Sequence, residues 1–387
     1  MSHVEGLRMK KIAIIFCVVV LSFCGGCGIV QSLSNQPSYV EVTVEDAVFE
    51  NKFHFSQLSE SDQVVYKEVY QGIINQQEEI CVHSNDGDKV NAILHAILYD
   101  FSEIFWSDGA GLSTTYDDTY TILEPNYVYT KSERETKATE IENAGNEIIS
   151  NIPDSYTEYE KIKYVYEYLV NSVEYVEGVP DNQNIYSSLV RKQSVCAGYA
   201  KANQYLLEQL GIYCIYVTGT ATNSQSSESH AWNIVQCDGN YYYVDVTWAD
   251  PLFASNEEVQ TTNLVYDYLC CNQSTISVTH TIDTTYQYPQ CTLDDLNYYR
   301  LNNMYYETAS EKTLLNAMYS SINKKEECTT YKFSNADVYN KAKSLIVNRL
   351  LSDASQYLGR KYHLPEVKCY YKENPELNRF EIFWIYE

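Results

Sequence analysis

The spacing of hydrophobic positions along the middle of the chain changes from helical to strand-like. Helical spacing predicts helices at residues 133–152 and 161–173. Apolar side chains recur at helical spacing again after Gly198, which places Cys196 at or just before the start of a third helix. A β-prone run at 213–218 follows this helix and predicts a strand.

A β-hairpin is predicted after this strand. Residues 231–237 are β-prone, Asp238-Gly239 is a strong signal for a two-residue turn, and residues 240–248 form the return strand. Residues 219–229, before the hairpin, are polar and rich in serine. We interpret them as a loop, either a mobile lid over a substrate or a plain solvated loop.

The turn determines which side chains of the hairpin meet. A two-residue loop pairs Cys237 with Asn240. His230 then lies opposite Thr247, and Asp245 points to the same face of the sheet as His230. Diagonal neighbours of this kind are within reach of polar side chains. A three-residue loop would place His230 and Asp245 on opposite faces, so the prediction depends on the register.

Two further blocks flank this central domain, which we place at residues 131–290. Residues 46–130 are predicted to form an N-terminal α+β domain, with one helix capped by Ser59 and β-segments near its end. Residues 291–387 are predicted to form a C-terminal α+β domain with a long helix at 338–358. The predicted fold class of the whole chain is therefore α+β.

Cys196, His230 and Asp245 are the candidate catalytic residues. A helix start carries partial positive charge, which stabilises a thiolate, and a cysteine nucleophile also needs a nearby imidazole. A carboxylate can then orient the imidazole. Taken singly, each residue is more often structural: a small core cysteine, a strand histidine, a turn aspartate. Their ordered combination, each in suitable local sequence, favours a thiol site.

Three blocks carry these residues, namely 195–201, 230–233 and 243–248, and together they resemble the transglutaminase-like superfamily. These are papain-related cysteine enzymes with a Cys–His–Asp triad, and the resemblance covers about residues 155–290. It implies a core in which a helix carrying the cysteine packs on an antiparallel sheet carrying the histidine and aspartate. By the same resemblance Cys196 is the nucleophile, His230 the general base and acid, and Asp245 the orienting carboxylate.

The resemblance implies a fourth site residue. Relatives often carry a Gln-Ser-Ala-Tyr-x-x-Leu segment before the nucleophile, and residues 183–189 have that phase. Gln183 is then the candidate side-chain donor to the oxyanion, beside the backbone N–H of Cys196. The alternative is that Gln183 is only a loop residue.

The N-terminus predicts export. Basic residues precede an apolar run at 12–23, which is too short for a membrane span but suits a signal peptide. Residues 1–27 resemble a bacterial lipoprotein signal, with Cys27 as the lipidated residue and Cys24 as the alternative. The competing interpretation of these two cysteines is a redox or zinc CxxC pair. Residues 28–45 are predicted to be a polar tether.

Composition restricts the partners. The formal net charge of −25 argues against nucleic acid or an anionic membrane surface as partner. No metal-ligand spacing stands out, so we expect neither a metal nor another cofactor. Nine cysteines follow the predicted signal. Without the nucleophile, eight remain, which permits up to four disulfides or, alternatively, free thiols in a cell living without oxygen.

The sequence thus predicts an exported, membrane-tethered cysteine enzyme that acts on amide bonds of peptides, proteins or cell wall by thiol acyl transfer. Hydrolysis is favoured over protein crosslinking, because water is abundant and no calcium-loop motif stands out. An alternative of another class is a catalytically silent binding or scaffold module at the cell surface.

Overall fold

The computed structural model describes residues 38–116, 118–222, 226–250 and 264–387. Within these ranges the chain has an α+β fold with largely antiparallel sheets, as predicted. The predicted signal peptide and both candidate lipidation sites, Cys24 and Cys27, lie outside the described residues. None of the helices in the described ranges combines the length and apolar character needed to cross a membrane.

The N-terminal part is a small antiparallel sheet beside two long helices. Its elements are α1 (Phe53–Ser56), α2 (Glu60–Asn75), β1 (Ile80–Val82), α3 (Gly87–Asp100), β2 (Ser107–Tyr116) and β3 (Tyr120–Tyr127). The strand order is β1-β3-β2. The Ser59 hydroxyl accepts the Asp62 N–H at 3.3 Å, which confirms the predicted cap. β2 was not predicted, because its small and polar residues lack an alternating apolar pattern.

The described end of the predicted tether, residues 38–45, contacts this N-terminal part. The Val40 N–H donates to the Cys81 carbonyl at 3.1 Å. The Thr43 N–H donates to Gln71 Oε1 at 2.9 Å. The predicted tether at 28–45 is therefore too long at its C-terminal end, because residues from Val40 onward are bound to the N-terminal part.

Helices dominate the next segment of the chain. Its elements are α4 (Lys131–Ser150), α5 (Glu158–Ser172), the parallel pair β4 (Glu174–Tyr175) and β5 (Gln193–Ser194), and α6 (Cys196–Gln209). Both predicted helices are confirmed, with starts two or three residues earlier than expected. The third helix begins at Cys196 itself, as the apolar spacing after Gly198 indicated.

A four-stranded antiparallel sheet follows and positions the candidate site. Its elements are β6 (Cys214–Thr222), β7 (Ser227–Cys237), β8 (Asn240–Val244), the short helix α7 (Gln273–Ile276) and β9 (His280–Ile282). The strand order is β8-β7-β6-β9. The sheet brings β9, which is distant in sequence, beside the strand that pairs with the His230 strand.

The hairpin register is partly as predicted. Cys237 pairs with Asn240, which confirms the two-residue turn. The predicted return strand at 240–248 is too long, because β8 ends at Val244 and a 3₁₀ turn follows. His230 therefore does not pair with Thr247, and its strand partner is Gly219 on β6. The predicted loop at 219–229 is also wrong at both ends, since β6 extends to Thr222 and β7 begins at Ser227.

The C-terminal part is a second α+β arrangement. Its elements are α8 (Tyr298–Leu301), β10 (Tyr305–Tyr306), α9 (Glu311–Lys324), β11 (Cys328–Phe333), α10 (Ala336–Leu345), α11 (Leu351–Tyr362), β12 (Cys369–Asn374) and β13 (Arg379–Trp384). The strand order is β10-β11-β13-β12, with β10 parallel to β11. The predicted long helix is α10 and α11 joined by a π-helical turn.

Most of the hydrophobic core consists of two separate clusters of buried side chains. One combines side chains of α2 and α3 with those of α5 and α6, and the other lies within the C-terminal part. The domain limits at residues 130 and 290 stay predictions. The nine cysteines of the described ranges are not joined by disulfides in this structure, and the choice between disulfides and reduced thiols stays a prediction.

Candidate active site

An open cleft of about 1000 Å³ is lined by the start of α6 and by residues of the central sheet. Cys196, His230 and Gln183 all line it. Asp245 is fully buried behind His230. The four residues singled out in the sequence therefore lie in one region of the fold, and three of them face the same cavity.

Cys196 is the first residue of α6 and is partly exposed. The preceding backbone is fixed, because the Val195 N–H and the Ser194 hydroxyl both donate to the Asn182 carbonyl, at 3.0 and 2.7 Å. These bonds hold the segment containing Gln183 against the helix start. The first N–H groups of a helix have no partner within it, so those of Cys196 and Ala197 are available at the cleft.

Gly198 is required by the close packing of this helix start. A Cβ atom placed on Gly198 would lie 2.0 Å from Ser194 Oγ and 2.8 Å from Ser188 Oγ. These two buried hydroxyls hydrogen-bond each other at 2.9 Å. Any larger residue would therefore displace the backbone that holds Cys196.

Two buried asparagines join the cysteine helix to the histidine strand. Asn203 Nδ2 on α6 donates to Asn233 Oδ1 on β7 at 2.9 Å. Asn233 Nδ2 in turn donates to the Ala200 carbonyl at 3.1 Å. This reciprocal pairing fixes how far the N-terminus of α6 lies from His230.

His230 connects Cys196 to Asp245. His230 Nε2 lies 2.7 Å from Asp245 Oδ2, and because a carboxylate only accepts, the ring nitrogen is the donor. The Cys196 side chain is the other hydrogen-bond partner of the ring. Since Nε2 is occupied, Nδ1 is the nitrogen that serves the thiol. The His230 side chain is 7% exposed, so the ring is held in one orientation.

Asp245 is fixed by the end of β8. Its N–H donates to the Tyr268 carbonyl at 3.0 Å. Its Oδ1 atom accepts the N–H groups of Thr247 and Trp248, at 2.9 and 3.2 Å. The turn after Val244 thus replaces the diagonal strand contact expected from sequence, yet it brings the same carboxylate to His230.

His280 is a further residue of the site that the sequence pattern did not predict. Its Nε2 atom donates to the same Asp245 Oδ2 at 2.9 Å, and its Nδ1 atom lies 2.8 Å from Thr279 Oγ1. The Tyr268 hydroxyl lies 3.0 Å from Thr279 Oγ1 and extends this chain. His280 is 35 residues from Asp245 and reaches it only because β9 pairs with β6. No local sequence pattern signals that contact.

The charge states of His230 and Asp245 follow from this geometry. Burial alone would lower the pKa of His230, but the charge and hydrogen bond of Asp245, together with Cys196, raise it to about 10. Burial alone would raise the pKa of Asp245, but His230 and His280 hold it well below its usual range. At neutral pH the site therefore contains an imidazolium next to an ionised carboxylate.

His230, Asp245 and His280 also form a group that could hold a metal ion, because their ligand atoms lie within 4.8 Å of one another. Both rings donate protons to the one carboxylate oxygen, so metal binding would require both protons to leave. The expectation that the protein needs no metal or other cofactor stays a prediction.

Comparison with known proteins agrees with this geometry. Residues 143–246 match the transglutaminase-like superfamily, a range that contains Cys196, His230 and Asp245. The match is to the same superfamily that the three sequence blocks resemble.

Individual relatives are distant. The chain is 25% identical to mouse (Mus musculus) kyphoscoliosis peptidase over 121 residues, which are 28% of this chain and 18% of that protein. The chain thus matches less than a fifth of that relative's length.

Two solved structures are also similar. One is a TGase, with a TM-score of 0.27 and 14% identity over 48% of this chain and 53% of the other. The second is a candidate cysteine protease of Cytophaga hutchinsonii, with a TM-score of 0.25 and 15% identity over 37% and 63%. Both TM-scores are too low to support a functional conclusion.

Proposed function

We propose that the chain is a cysteine enzyme that cleaves amide bonds of peptides, proteins or cell wall through a thioester on Cys196. The observation that carries the proposal is the His230 ring, which hydrogen-bonds Cys196 on one side and Asp245 on the other, beside an open cleft. A nucleophile, a base and an orienting carboxylate in this order are the minimum set for acyl transfer.

The first step forms the thioester. A positively charged ring beside a thiol stabilises a thiolate, so Cys196 Sγ attacks the carbonyl carbon as an anion. The C–N bond of the tetrahedral intermediate then breaks, and His230 gives its Nδ1 proton to the departing amine. The backbone N–H of Cys196 and the side chain of Gln183 stabilise the oxyanion, which requires Gln183 to turn its amide towards Sγ.

The second step releases the acyl group. Water attacks the thioester carbon while His230 Nδ1 takes one proton, the C–S bond breaks to restore the thiolate, and the carboxylic acid product leaves and ionises to solvent. Asp245 keeps Nε2 protonated and the ring in place through both steps, with no change in its own protonation. A primary amine in place of water would give crosslinking by the same residues, so the two activities differ only in the second substrate.

Turnover of defined amide substrates tests the proposal. The full chain is assayed on peptides, isopeptides and peptidoglycan fragments, with and without a primary amine as acceptor. Cys196→Ser should abolish turnover, whereas Cys328→Ser, a control at another partly exposed cysteine, should leave it unchanged. New carboxylate ends indicate hydrolysis, and amine incorporation indicates crosslinking.

Two results would contradict the proposed reaction. Complete inertness with Cys196 reduced would favour a silent binding or scaffold module. Equal loss of turnover in both cysteine variants would mean that Cys196 has no special role.

For the location, the proposal is a chain anchored to the outer face of the cytoplasmic membrane through lipidated Cys27. The support is the sequence pattern alone, an apolar run of signal-peptide length before Gly26-Cys27. Cys27→Ser should release the protein from the membrane fraction or leave it unprocessed. Release by Cys24→Ser alone would assign the lipid to Cys24, and release by neither would contradict lipidation.

A further inference from the structure

A second cavity of about 520 Å³ adjoins the cleft. The two cavities share lining residues, among them Gln183, Ala197 and Tyr216. One wall of the second cavity is the α6 face that continues from the cleft, because Ala197 and Lys201 are four residues apart and lie above one another. The cavity is therefore placed to receive the part of a substrate next to the scissile bond.

Lys201 is a partly exposed cation that lines this cavity without a carboxylate partner. In the described ranges its ammonium group takes part in no hydrogen bond or ion pair, and its closest aromatic contact is the Tyr216 ring, 5.9 Å from Nζ. Burial lowers the pKa of Lys201 to about 8, so the group is still mostly charged at neutral pH. An unpaired charge in such a position is costly and favours an anionic ligand.

His95 is a second donor that lines the cavity. It lies on α3, and Tyr99 stacks between it and Tyr216, with ring-centroid distances of 6.2 and 5.1 Å. Burial and then the nearby charge of Lys201 lower the pKa of His95, so its ring is neutral at pH 7 and offers one N–H. An ammonium and a ring N–H facing one cavity suit a carboxylate.

Two aspartates also line the cavity, but each has other partners. Asp108 accepts the Ala110 N–H at 2.9 Å and Asn126 Nδ2 at 2.5 Å. Asp181 accepts the Tyr129 hydroxyl at 2.8 Å. Neither forms an ion pair with Lys201, so among the described residues that line the cavity the ammonium has no carboxylate partner.

We propose that this cavity is a substrate subsite that binds a carboxylate through Lys201, with His95 as the second donor. The inference rests on the proposed function only in that the ligand is taken to be the substrate of Cys196. The carboxylate comes either from an aspartate or glutamate side chain next to the scissile amide or from a free C-terminus. Both present the same chemistry to Lys201.

Matched peptide pairs test this subsite without requiring catalysis. The full chain carrying Cys196→Ala is titrated with fluorescent peptides that differ only as Glu against Gln, Asp against Asn, or C-terminal acid against amide. We expect the acidic member of at least one pair to bind on the order of 10-fold tighter, as for a charge-assisted hydrogen bond. The pair that shows the difference identifies the source of the carboxylate.

Lys201→Met should remove this preference and leave the neutral member's affinity unchanged. Lys341→Met is the matched control, since Lys341 is exposed on α10, and it should keep the preference. The subsite would be overturned if Lys201→Met weakened binding of both members equally. It would also be overturned if no pair showed an acidic preference, or if no binding could be measured. Retained acidic preference with no turnover by the unmodified enzyme would instead overturn the proposed reaction and leave the subsite standing.

Discussion

Asp245 and Asp267 are both buried carboxylates held by two basic side chains, but their surroundings differ. Asp245 accepts from His230 and His280 beside an open cleft. Asp267 is bound by Lys332, at 2.6 Å, and by Arg379. Burial opposes the charge of both, and the basic neighbours hold the pKa of each below its usual range.

The partners decide what each carboxylate can do. Arg379 and Lys332 lie on the neighbouring strands β13 and β11, so Asp267 attaches the C-terminal sheet to the rest of the fold. An arginine stays charged at all working pH values and moves no proton. Imidazoles exchange protons and one of them contacts a thiol, so Asp245 can serve chemistry while an almost identical ion cluster serves only structure.

Replacing each aspartate by alanine should separate the two roles most strongly. Asp245→Ala should lower kcat on the order of 10³-fold, because His230 loses its orientation, with a small effect on substrate binding. Asp267→Ala should instead lower the free energy of unfolding by about 3–5 kcal/mol, because two buried cations lose their partner. Steady-state kinetics and urea denaturation of both variants measure the two effects. A large stability loss in Asp245→Ala with normal kcat per folded molecule would refute the contrast.

Gly198→Ala should damage the helix start that holds Cys196. The new Cβ would meet Ser194 Oγ, so we expect about 1–3 kcal/mol of destabilisation and reduced turnover. Gly178→Ala is a control for loop glycines near the cleft, since no atom lies within 4 Å of its Cβ, although its positive φ adds some strain. Thermal denaturation compares the two, and a greater loss in the control would argue against a special constraint at Gly198.

Local patterns predicted one part of the site and missed another. Cys196 at a helix start and the Cys237–Asn240 turn follow from short-range spacing, which is why both were found. His280 and Lys201 acquire their surroundings from pairings between distant elements, and no local pattern marks them. The end of β8 at Val244 was missed because it depends on distant backbone, since the Asp245 N–H donates to the Tyr268 carbonyl.

The pH dependence of stability and of activity should reflect the ionisation of Asp245 and His230. The raised pKa of His230 contributes stability that is complete below about pH 6.5, the unfolded value, and is lost as the pH rises through about 10. The lowered pKa of Asp245 contributes stability above about pH 4 that is lost as the pH falls. We expect bell-shaped activity whose alkaline limb moves to lower pH in Asp245→Asn, because the ring loses the negative charge. An unmoved limb in the kcat/KM profile would show that another group titrates.

Removing His280 should have a smaller effect, since His230 keeps its bond to Asp245. His280→Ala should lower kcat about 10-fold with little change in KM, because Asp245 Oδ2 loses one of its two fixed donors. His280→Gln should recover part of the loss, since an amide N–H can replace the ring donor. A purely structural role would instead lower the melting temperature without this split between kcat and KM or this rescue.

Alkylation of Cys196 tests the central claim most directly. Iodoacetamide is added to the folded full chain, and the rate at each cysteine is followed by mass spectrometry, with the partly exposed Cys328 and Cys369 as internal controls. An imidazolium beside the thiol predicts labelling of Cys196 at least about 10-fold faster than either control, and loss of that advantage in His230→Ala. Equal rates at the three cysteines, or a Cys196 rate unchanged by His230→Ala, would contradict the assignment of a thiol nucleophile.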